Sequence, residues 1–599
     1  MHDVPLLPRG TRGAIVLIAL LQGLLLYAAQ QLDGVWPVQD VASRYRWFAW
    51  TLTVPTAVAL TVVDLRDRRL WLHALLGSAV VLALASWIGW NLQGPGGLRS
   101  EPLRLPFSMA MAIATFILLP WWQYRLQHGH WHATYDALSE RAWQNGLTLA
   151  LAAFFTGLTW LLLWLWAELF RLLKVGFFHE LFAQPAFIAL ATGTLAGFGV
   201  LIGRTQQRAI QVTRQVLFAI CRGLLPLLSL ISVLFVASLP FTGLQSLWET
   251  RSAATLLLAL ILLLVVFANA VYQHDSEAAP YPRWLRRCVE ASLAGLPVLA
   301  ALALHATGQR IAQYGWTLDR FWAALIALLV AGYAVGYAVA PFRTRGRWLQ
   351  TLEPVNRSMC WAVLAAAVLA SSPLLDPVRI TLASQKARLL ASPARITADD
   401  ALMLRFDVGR RGVQALRALQ ADAGFMRDPR ALSVVGQALA AKDARAASAA
   451  QIDDGLRDMA SLQRRLTMAQ GSPAPPQSWW TAVLARELPA EECLRGDQPC
   501  IVLVRDIDAD GRTEVLLCAL PPALGAYCQL HAPAGAGWRQ AASYSFSAGS
   551  RPGASERVHA AVRAGRLVPR APRWPSLSLD GAAPVMPVEV DAETAGEVR

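Results

Sequence analysis

Trp143-Gln-Asn145-Gly-Leu-Thr-Leu-Ala-Leu-Ala-Ala-Phe154-Phe155-Thr-Gly-Leu-Thr-Trp160-Leu-Leu-Leu-Trp164-Leu-Trp166-Ala-Glu168-Leu-Phe170-Arg171-Leu-Leu173 decides the fold. No charged side chain occurs from Leu147 to Ala167, and about twenty such residues let a helix cross the hydrocarbon core of a bilayer. The stretch reads as a membrane span. Ten more apolar runs surround it, at about 13–29, 47–63, 70–92, 105–122, 185–203, 223–240, 252–272, 288–307, 320–341 and 356–375. The fold expected is an all-α polytopic membrane bundle of about 11 transmembrane helices, with a soluble α+β domain after it.

Composition agrees. The 599-residue chain is 55% hydrophobic and 16% charged, too apolar for an ordinary soluble domain, so the bilayer is expected to be its main solvent. Its only lysines are Lys174, Lys386 and Lys442 among 54 basic residues, a bias that points to a GC-rich bacterial genome. A net charge of +14 can signal nucleic acid, but many of these arginines lie in short connections between apolar runs and no reading motif accompanies them. Nucleic acid is therefore excluded as an expected partner.

The connections orient the chain. Arg9 and Arg12 precede a first run with no small-x-small cleavage pattern before Ala29, so that run reads as an uncleaved anchor. Alternate connections carry sixteen Arg on one side (9, 12, 66, 68, 69, 125, 141, 204, 208, 214, 283, 286, 287, 343, 345, 347) and nine Arg or Lys on the other (44, 46, 99, 104, 171, 174, 251, 310, 320). Basic residues prefer the cytoplasmic side. The expectation is a bacterial inner membrane protein with its N-terminus cytoplasmic and everything after Leu375 periplasmic. Cys493, Cys500, Cys518 and Cys528 make an even set in the tail, as a disulfide-permissive compartment would favour.

The chain divides into a transmembrane domain over 1–378, a helical periplasmic segment over 379–470, a Pro-rich linker over 471–478, a small β-rich domain over 479–585 and a disordered acidic tail over 586–599. Thr397-Ala-Asp-Asp400 has the form of a capping box and opens a helix toward Ala421. Asp428-Pro429 starts another over 429–442, and a third stretch runs over 447–468. Short β-rich runs at 500–505, 513–520, 526–531 and 538–546 predict an antiparallel meander.

Several ordered motifs carry a family resemblance. They are Tyr135 with Ala142-Trp143-Gln-Asn145 and Leu161-Leu-Leu-Trp164-Leu-Trp166; Phe267-Ala-Asn269-Ala-Val-Tyr272; Arg310-Ile-Ala-Gln-Tyr314-Gly315-Trp-Thr-Leu-Asp319-Arg320; Ser372-Pro373-Leu-Leu-Asp376-Pro377-Val-Arg379; and Leu404-Arg405-Phe406-Asp-Val-Gly409-Arg-Arg-Gly412. Over roughly residues 10–415 the chain resembles the bacterial membrane proteins catalogued as domain of unknown function 4153. That resemblance implies a polytopic inner-membrane protein and brings no activity with it.

Candidate sites are few. Glu168 closes the opening stretch, where an ionisable group invites a functional reading, but Arg171 lies three residues on and an interfacial ion pair explains both. A ligand arriving from outside would meet His305 and the loop holding Arg310, Tyr314, Asp319 and Arg320. His128-Gly-His130-Trp-His132 has metal-ligand residue types, with no carboxylate or cysteine placed to complete a site. Gly193-Thr-Leu-Ala-Gly197 and Gly332-Tyr-Ala-Val-Gly336 have the spacing of close helix contact.

In the tail, Asp506-Ile-Asp508-Ala-Asp510-Gly511-Arg-Thr-Glu514 spaces carboxylates as calcium loops do, though Leu517 stands where an EF-hand has its last glutamate. A hairpin loop over 506–512 places Cys500 opposite Cys518, with Cys493–Cys528 as companion bridge; the pairing of Cys493 with Cys500 and Cys518 with Cys528 stays open.

With no P-loop, zincin or serine-hydrolase motif, the leading expectation is a non-enzymatic envelope component presenting its periplasmic module to a protein partner. A secondary transporter or channel is the alternative, and a membrane enzyme acting on lipid or glycan the third reading.

Overall fold

The computed structural model describes residues 7–94, 98–243, 253–272, 280–342, 348–393, 396–441, 459–485, 499–521, 525–535, 537–546 and 554–569, together with 487, 488, 490 and 493. They belong to two compact units, Met1–Ala444 and Arg445–Arg599. The acidic tail over 586–599 lies outside the described residues.

The first unit is helical: α1 (Arg9–Gln31), α2 (Val41–Thr61), α3 (Arg68–Leu92), α4 (Glu101–His128), α5 (Tyr135–Leu172), α6 (Phe177–Ala183), α7 (Pro185–Thr205), α8 (Gln207–Thr242), α9 (Ala253–Val271), α10 (Arg283–Tyr314), α11 (Leu318–Ala338) and α12 (Leu352–Ala370). Among the described residues nine of these, α1, α3 to α5 and α7 to α11, are long and apolar enough to cross a membrane. The remaining two of the eleven expected spans, α2 and α12, are helical over most of the predicted runs, which end as helices at Thr61 and Ala370. They open on charge, with Arg44 and Arg46 in α2 and Glu353 and Arg357 in α12, and this shortens their apolar runs. The opening stretch forms the body of α5, whose 38 residues make a helix about 57 Å long, well beyond the hydrocarbon thickness.

Hydrogen bonds sort the helix ends and connections into two groups. In one, Gln93 Nε2 donates to Asp40 Oδ2 at 2.6 Å, Arg99 N to Phe406 O at 2.8 Å and Gln385 Nε2 to Trp316 O at 2.8 Å. These join the α1–α2, α3–α4 and α10–α11 connections to the segment after α12. In the other, Thr11 Oγ1 donates to Val63 O at 2.8 Å, Arg204 Nη1 to Ala59 O at 2.9 Å, Gln123 Nε2 to Leu60 O at 3.2 Å and Trp348 Nε1 to Glu290 Oε1 at 3.0 Å. The helix α2 has Asp40 before it in the first group and Val63 after it in the second.

Two local devices let the helices approach. On α7, a Cβ at Gly193 would lie 2.7 Å from Ala19 O of α1, and one at Gly199 would lie 2.5 Å from Ala152 Cα of α5. Hydrogen atoms at these positions permit backbone-to-backbone contact on two faces. Of the spacings noted in the sequence, Gly193 with Gly197 sits at such contacts, whereas Gly332 with Gly336 makes room for the Met359 and Val355 side chains of α12. On α8, Pro226 has no N–H for the carbonyl four residues before it, and that carbonyl, Arg222 O, accepts from Tyr281 Oη at 2.8 Å. Burial pushes the Tyr281 phenol up to about 12, so it stays a donor.

After α12 come α13 (Pro377–Ala391), α14 (Ala398–Leu402), a π-turn (Met403–Asp407), α15 (Arg410–Gln420) and α16 (Pro429–Ala440). The expected capping box is present, with Thr397 Oγ1 accepting from Asp400 N at 3.1 Å. The helix it opens does not continue to Ala421 as expected. It breaks at Gly409, whose φ is +72° and where a Cβ would fall 2.2 Å from Asn91 O. Val378, Leu404, Leu416, Phe425 and Val435 share one core with Leu84 and Ile88 of α3, Leu103 and Phe107 of α4 and Leu318 of α11. The segment is thus part of the bundle's own core, each buried aliphatic or aromatic side chain contributing about 1.5–3 kcal/mol.

Among the described residues of the second unit, five strands lie in sequence order: β1 (Thr467–Met468), β2 (Cys500–Arg505), β3 (Glu514–Ala519), β4 (Ala526–Ala534) and β5 (Gly537–Phe546). The antiparallel meander is as expected, with β1 added in parallel to β2. The third helical stretch ends earlier than predicted: α17 (Met459–Arg465) stops because Thr467 and Met468 leave to pair with Ile501 and Val502. The Pro-rich residues 471–478 lie within this unit, Pro476 capping α18 (Gln477–Leu484) and Ser472 Oγ accepting from Val504 N at 2.8 Å. One sheet face packs on Trp479 and Trp480 of α18, the other on Val562 of α19 (Ala554–Arg563). The fully buried Trp479 donates its Nε1–H to the fully buried His531 Nδ1 at 3.1 Å.

Candidate functional site

Two of the sequence motifs meet beside the C-terminal end of α3. Asp376 caps α13 by accepting from Val378 N at 3.0 Å, and its other oxygen lies 2.6 Å from Arg411 Nη1. The Asp376 side chain is 3% exposed, so the pair is desolvated and each charge depends on the other. The Arg411 guanidinium also lies over the rings of Trp87, at 5.5 Å, and Trp90, at 5.7 Å, while Arg410 covers Trp90 at 4.8 Å. Trp87 and Trp90 are stacked on each other at 5.2 Å, as residues three apart on a helix can be. Nearby, Asp407 faces Arg99 at 3.5 Å; burial raises its carboxyl above the usual range, although Arg99 opposes the shift. Cation–π contacts and a buried carboxylate make this a lock between α3 and the segment after α12.

A second polar cluster joins α5, α9, α11 and α12. Tyr135 Oη donates to Asn269 Oδ1 at 3.1 Å, and Asn356 Nδ2 donates both to that oxygen, at 2.7 Å, and to Tyr135 Oη, at 3.0 Å. Tyr337 Oη completes it by donating to Asn356 Oδ1 at 2.8 Å. Beside it, Tyr272 Oη donates to Glu353 Oε1 at 2.6 Å. Asn356 and Tyr337 are buried, and the side-chain amide of Asn356 uses both its hydrogens and its oxygen inside the network. A third interhelical tie pairs the Gln123 and Asn145 amides reciprocally at 3.0 Å in each direction. Such bonds hold spans together by about 0.6 kcal/mol each on average.

Of the side chains singled out for ligand binding, Arg310, Tyr314, Asp319 and Arg320 share one neighbourhood, while Glu168 makes its contacts elsewhere. Glu168 is paired with Arg171 at 2.6 Å, with His179 Nδ1 at 3.8 Å. His305, Arg310 and Asp319 are exposed. Tyr314 and Arg320 do meet: Arg320 lies over the Tyr314 ring at 5.2 Å and donates to Gly315 O at 2.9 Å. Gln385 of α13 holds the same loop through Tyr314 O, at 3.1 Å. Trp87, Trp90, Tyr337 and Asn356 were not singled out from the sequence. The Trp-x-x-Trp spacing in α3 was the only local signal of the first pair, and the second pair has none short of the tertiary contacts.

In the second unit, Asp506, Asp508 and Glu514 bring one oxygen each within 4.8 Å of one another. Asp510 does not join that group; its Oδ1 accepts from Arg512 N at 2.7 Å. The loop also satisfies itself elsewhere, Glu514 Oε2 accepting from Ile507 N at 2.7 Å and Asp506 Oδ2 from Gly511 N at 3.0 Å.

Both disulfides form, in the pairing Cys493–Cys500 and Cys518–Cys528. The expected Cys500–Cys518 and Cys493–Cys528 bridges are overturned by register. Arg505 pairs with Glu514, so the loop covers 506–513 and Cys500 faces Ala519 while Cys518 faces Ile501. Neighbouring residues of a strand point to opposite faces. Cys500 therefore lies in the core with Trp479, whereas Cys518 lies on the other face, directly across from Cys528 on β4.

No curated protein and no solved structure matches this chain. The family model described as "Domain of unknown function (DUF4153)" matches residues 51–404. The Tyr135 network lies wholly inside that span, as do Trp87, Trp90, Arg99 and Asp376 of the α3 lock, while Asp407, Arg410 and Arg411 lie just beyond it. With more than half its length matched, the chain belongs to the DUF4153 family of unknown function.

Proposed function

We propose that this protein is an eleven-span component of a bacterial inner membrane that carries its disulfide-stapled module on the periplasmic side, for a protein partner. The observation that carries the reading is the sorting of helix ends. The connections counted as inner by charge meet one another, those counted as outer meet one another, and α2 and α12 have one end in each group. Eleven crossings from a cytoplasmic N-terminus take the chain out. The two disulfides fit an oxidising compartment. In the Tyr135 network the Asn356 amide spends both its hydrogens and its oxygen on side chains of other helices, as a structural tie does, which favours a scaffold over a solute path. In the module, β5 is an edge strand exposed along most of its length, the kind of surface to which a partner strand can add. The test is a pair of reporters fused after Arg599 of the full chain. A phosphatase that needs disulfides is expected to be active there, and a cytoplasm-dependent fluorescent protein to be dark. The reverse pattern overturns the reading.

For the acidic turn we propose a divalent cation, with calcium first, held by Asp506, Asp508 and Glu514. Support comes from Asp506 Oδ1, which is buried with no hydrogen-bond partner among the described residues, and from the three clustered oxygens. Terbium luminescence of the purified full-length protein is expected to rise on titration and fall when calcium competes. Asp508→Asn is expected to weaken it about tenfold, as loss of a charged ligand should. A signal unchanged by Asp508→Asn refutes the site.

A further inference from the structure

We propose that Arg69 and Arg125 together hold the phosphate of an anionic phospholipid in the inner leaflet. The inference rests on the membrane reading above and adds a ligand to it. Arg69 lies in the first turn of α3 and Arg125 in the last turn of α4. Gly129 ends α4 in the left-handed conformation, with φ at +79° and its N–H on Arg125 O at 2.9 Å. The point where a Cβ would stand on Gly129 is 3.8 Å from Arg125 Nη1 and 3.9 Å from Arg69 Nη1. Two guanidinium groups from different helices thus converge on one spot. Neither has a carboxylate within ion-pair distance among the described residues. The nearest acid in sequence, Asp67, is turned to cap α3, accepting from Arg69 N at 2.9 Å. Like charges so placed call for a shared anion, and the planar fork of arginine matches phosphate oxygens.

The surroundings argue for a lipid over free phosphate. Trp131 lies under Arg125 at 6.0 Å and is 48% exposed, and Trp71 is 49% exposed, as tryptophans at the head-group level are. Further along α3, Leu72 and Leu76 are more than half exposed. They follow Arg69 by three and seven residues and so share its helix face. A phospholipid lying along α3 would set its phosphate at Arg69 and Arg125 and an acyl chain over these leucines.

Full-length protein in a neutral detergent is titrated with phosphatidylglycerol or phosphatidylcholine and the bound lipid is counted by native mass spectrometry. Wild type is expected to retain phosphatidylglycerol at about tenfold lower concentration, the scale of charge-assisted hydrogen bonds lost together. Arg69→Gln/Arg125→Gln should erase that preference, while Arg66→Gln, in the preceding loop, should keep it. Should the double variant aggregate, the exposed Arg69→Gln alone is read, with about a threefold loss expected. The proposal falls if the arginine variants keep the preference, if both lipids bind alike, or if millimolar inorganic phosphate displaces the lipid, since that makes the site one for a free anion. The reporter fusions read orientation and this titration reads the site, so the two readings can fail separately.

Discussion

Gly199→Leu is expected to abolish the assembled bundle. A Cβ at this position would lie 2.5 Å from Ala152 Cα and 2.9 Å from Ala152 Cβ, so the obstacle is the backbone of α5 and no rotamer change relieves it. Overpacking where side chains can yield costs about 1–3 kcal/mol. Here α7 and α5 must separate, breaking the contacts of Gly203 with Thr148 as well, and the loss exceeds that range. The yield of monodisperse protein extracted in mild detergent should drop at least about tenfold, a severe effect with a named steric cause. Gly157→Leu is the control, since nothing lies within 4 Å of a Cβ there. Equal yields from the two variants would show that α7 does not approach α5 this closely.

Asp376→Ala is the second large effect. It strands the Arg411 guanidinium, whose Nε and Nη2 are already buried without hydrogen-bond partners among the described residues, and removes the cap on α13. Breaking a buried pair from one side costs about 3–5 kcal/mol, and losing a cap adds about 1 kcal/mol. The segment over 377–441 should then open and become a substrate for limited proteolysis while the spans stay protected by detergent. The double change Asp376→Leu/Arg411→Met should recover most of the resistance, because it leaves no unpaired charge in the core. If the single and double variants are cut equally fast, the ion pair is not what holds the segment.

Much of this architecture was legible in the chain. Uncharged runs such as Leu147–Ala167 depend only on transfer energies, so the membrane-length helices could be read without partners. Capping at Thr397 and Asp400 is equally local, as is the glycine spacing of 193 and 197. Features that depend on register or distant contact were not legible. A one-residue difference in loop length moved Cys500 and Cys518 to opposite faces of the sheet. Position 409 must be glycine because its φ is +72° and Asn91 O, more than three hundred residues earlier, occupies the space of a Cβ there. The runs at 47–63 and 356–375 were legible as the helices α2 and α12, but the charges at the starts of these helices leave apolar stretches shorter than those of the other nine.

The opening stretch shows the division most clearly. Its composition alone determined that residues 143–173 form a membrane-length helix, because twenty uncharged side chains favour hydrocarbon wherever they are placed. Tertiary structure decided what that helix does in the bundle: Tyr135 ties its first turn to Asn269 and Asn356, Asn145 ties it to Gln123, and Ala152 admits Gly199. Hydrophobic transfer is summed over a segment and is blind to partners, whereas hydrogen bonds and close packing exist only between particular atoms brought together by the fold.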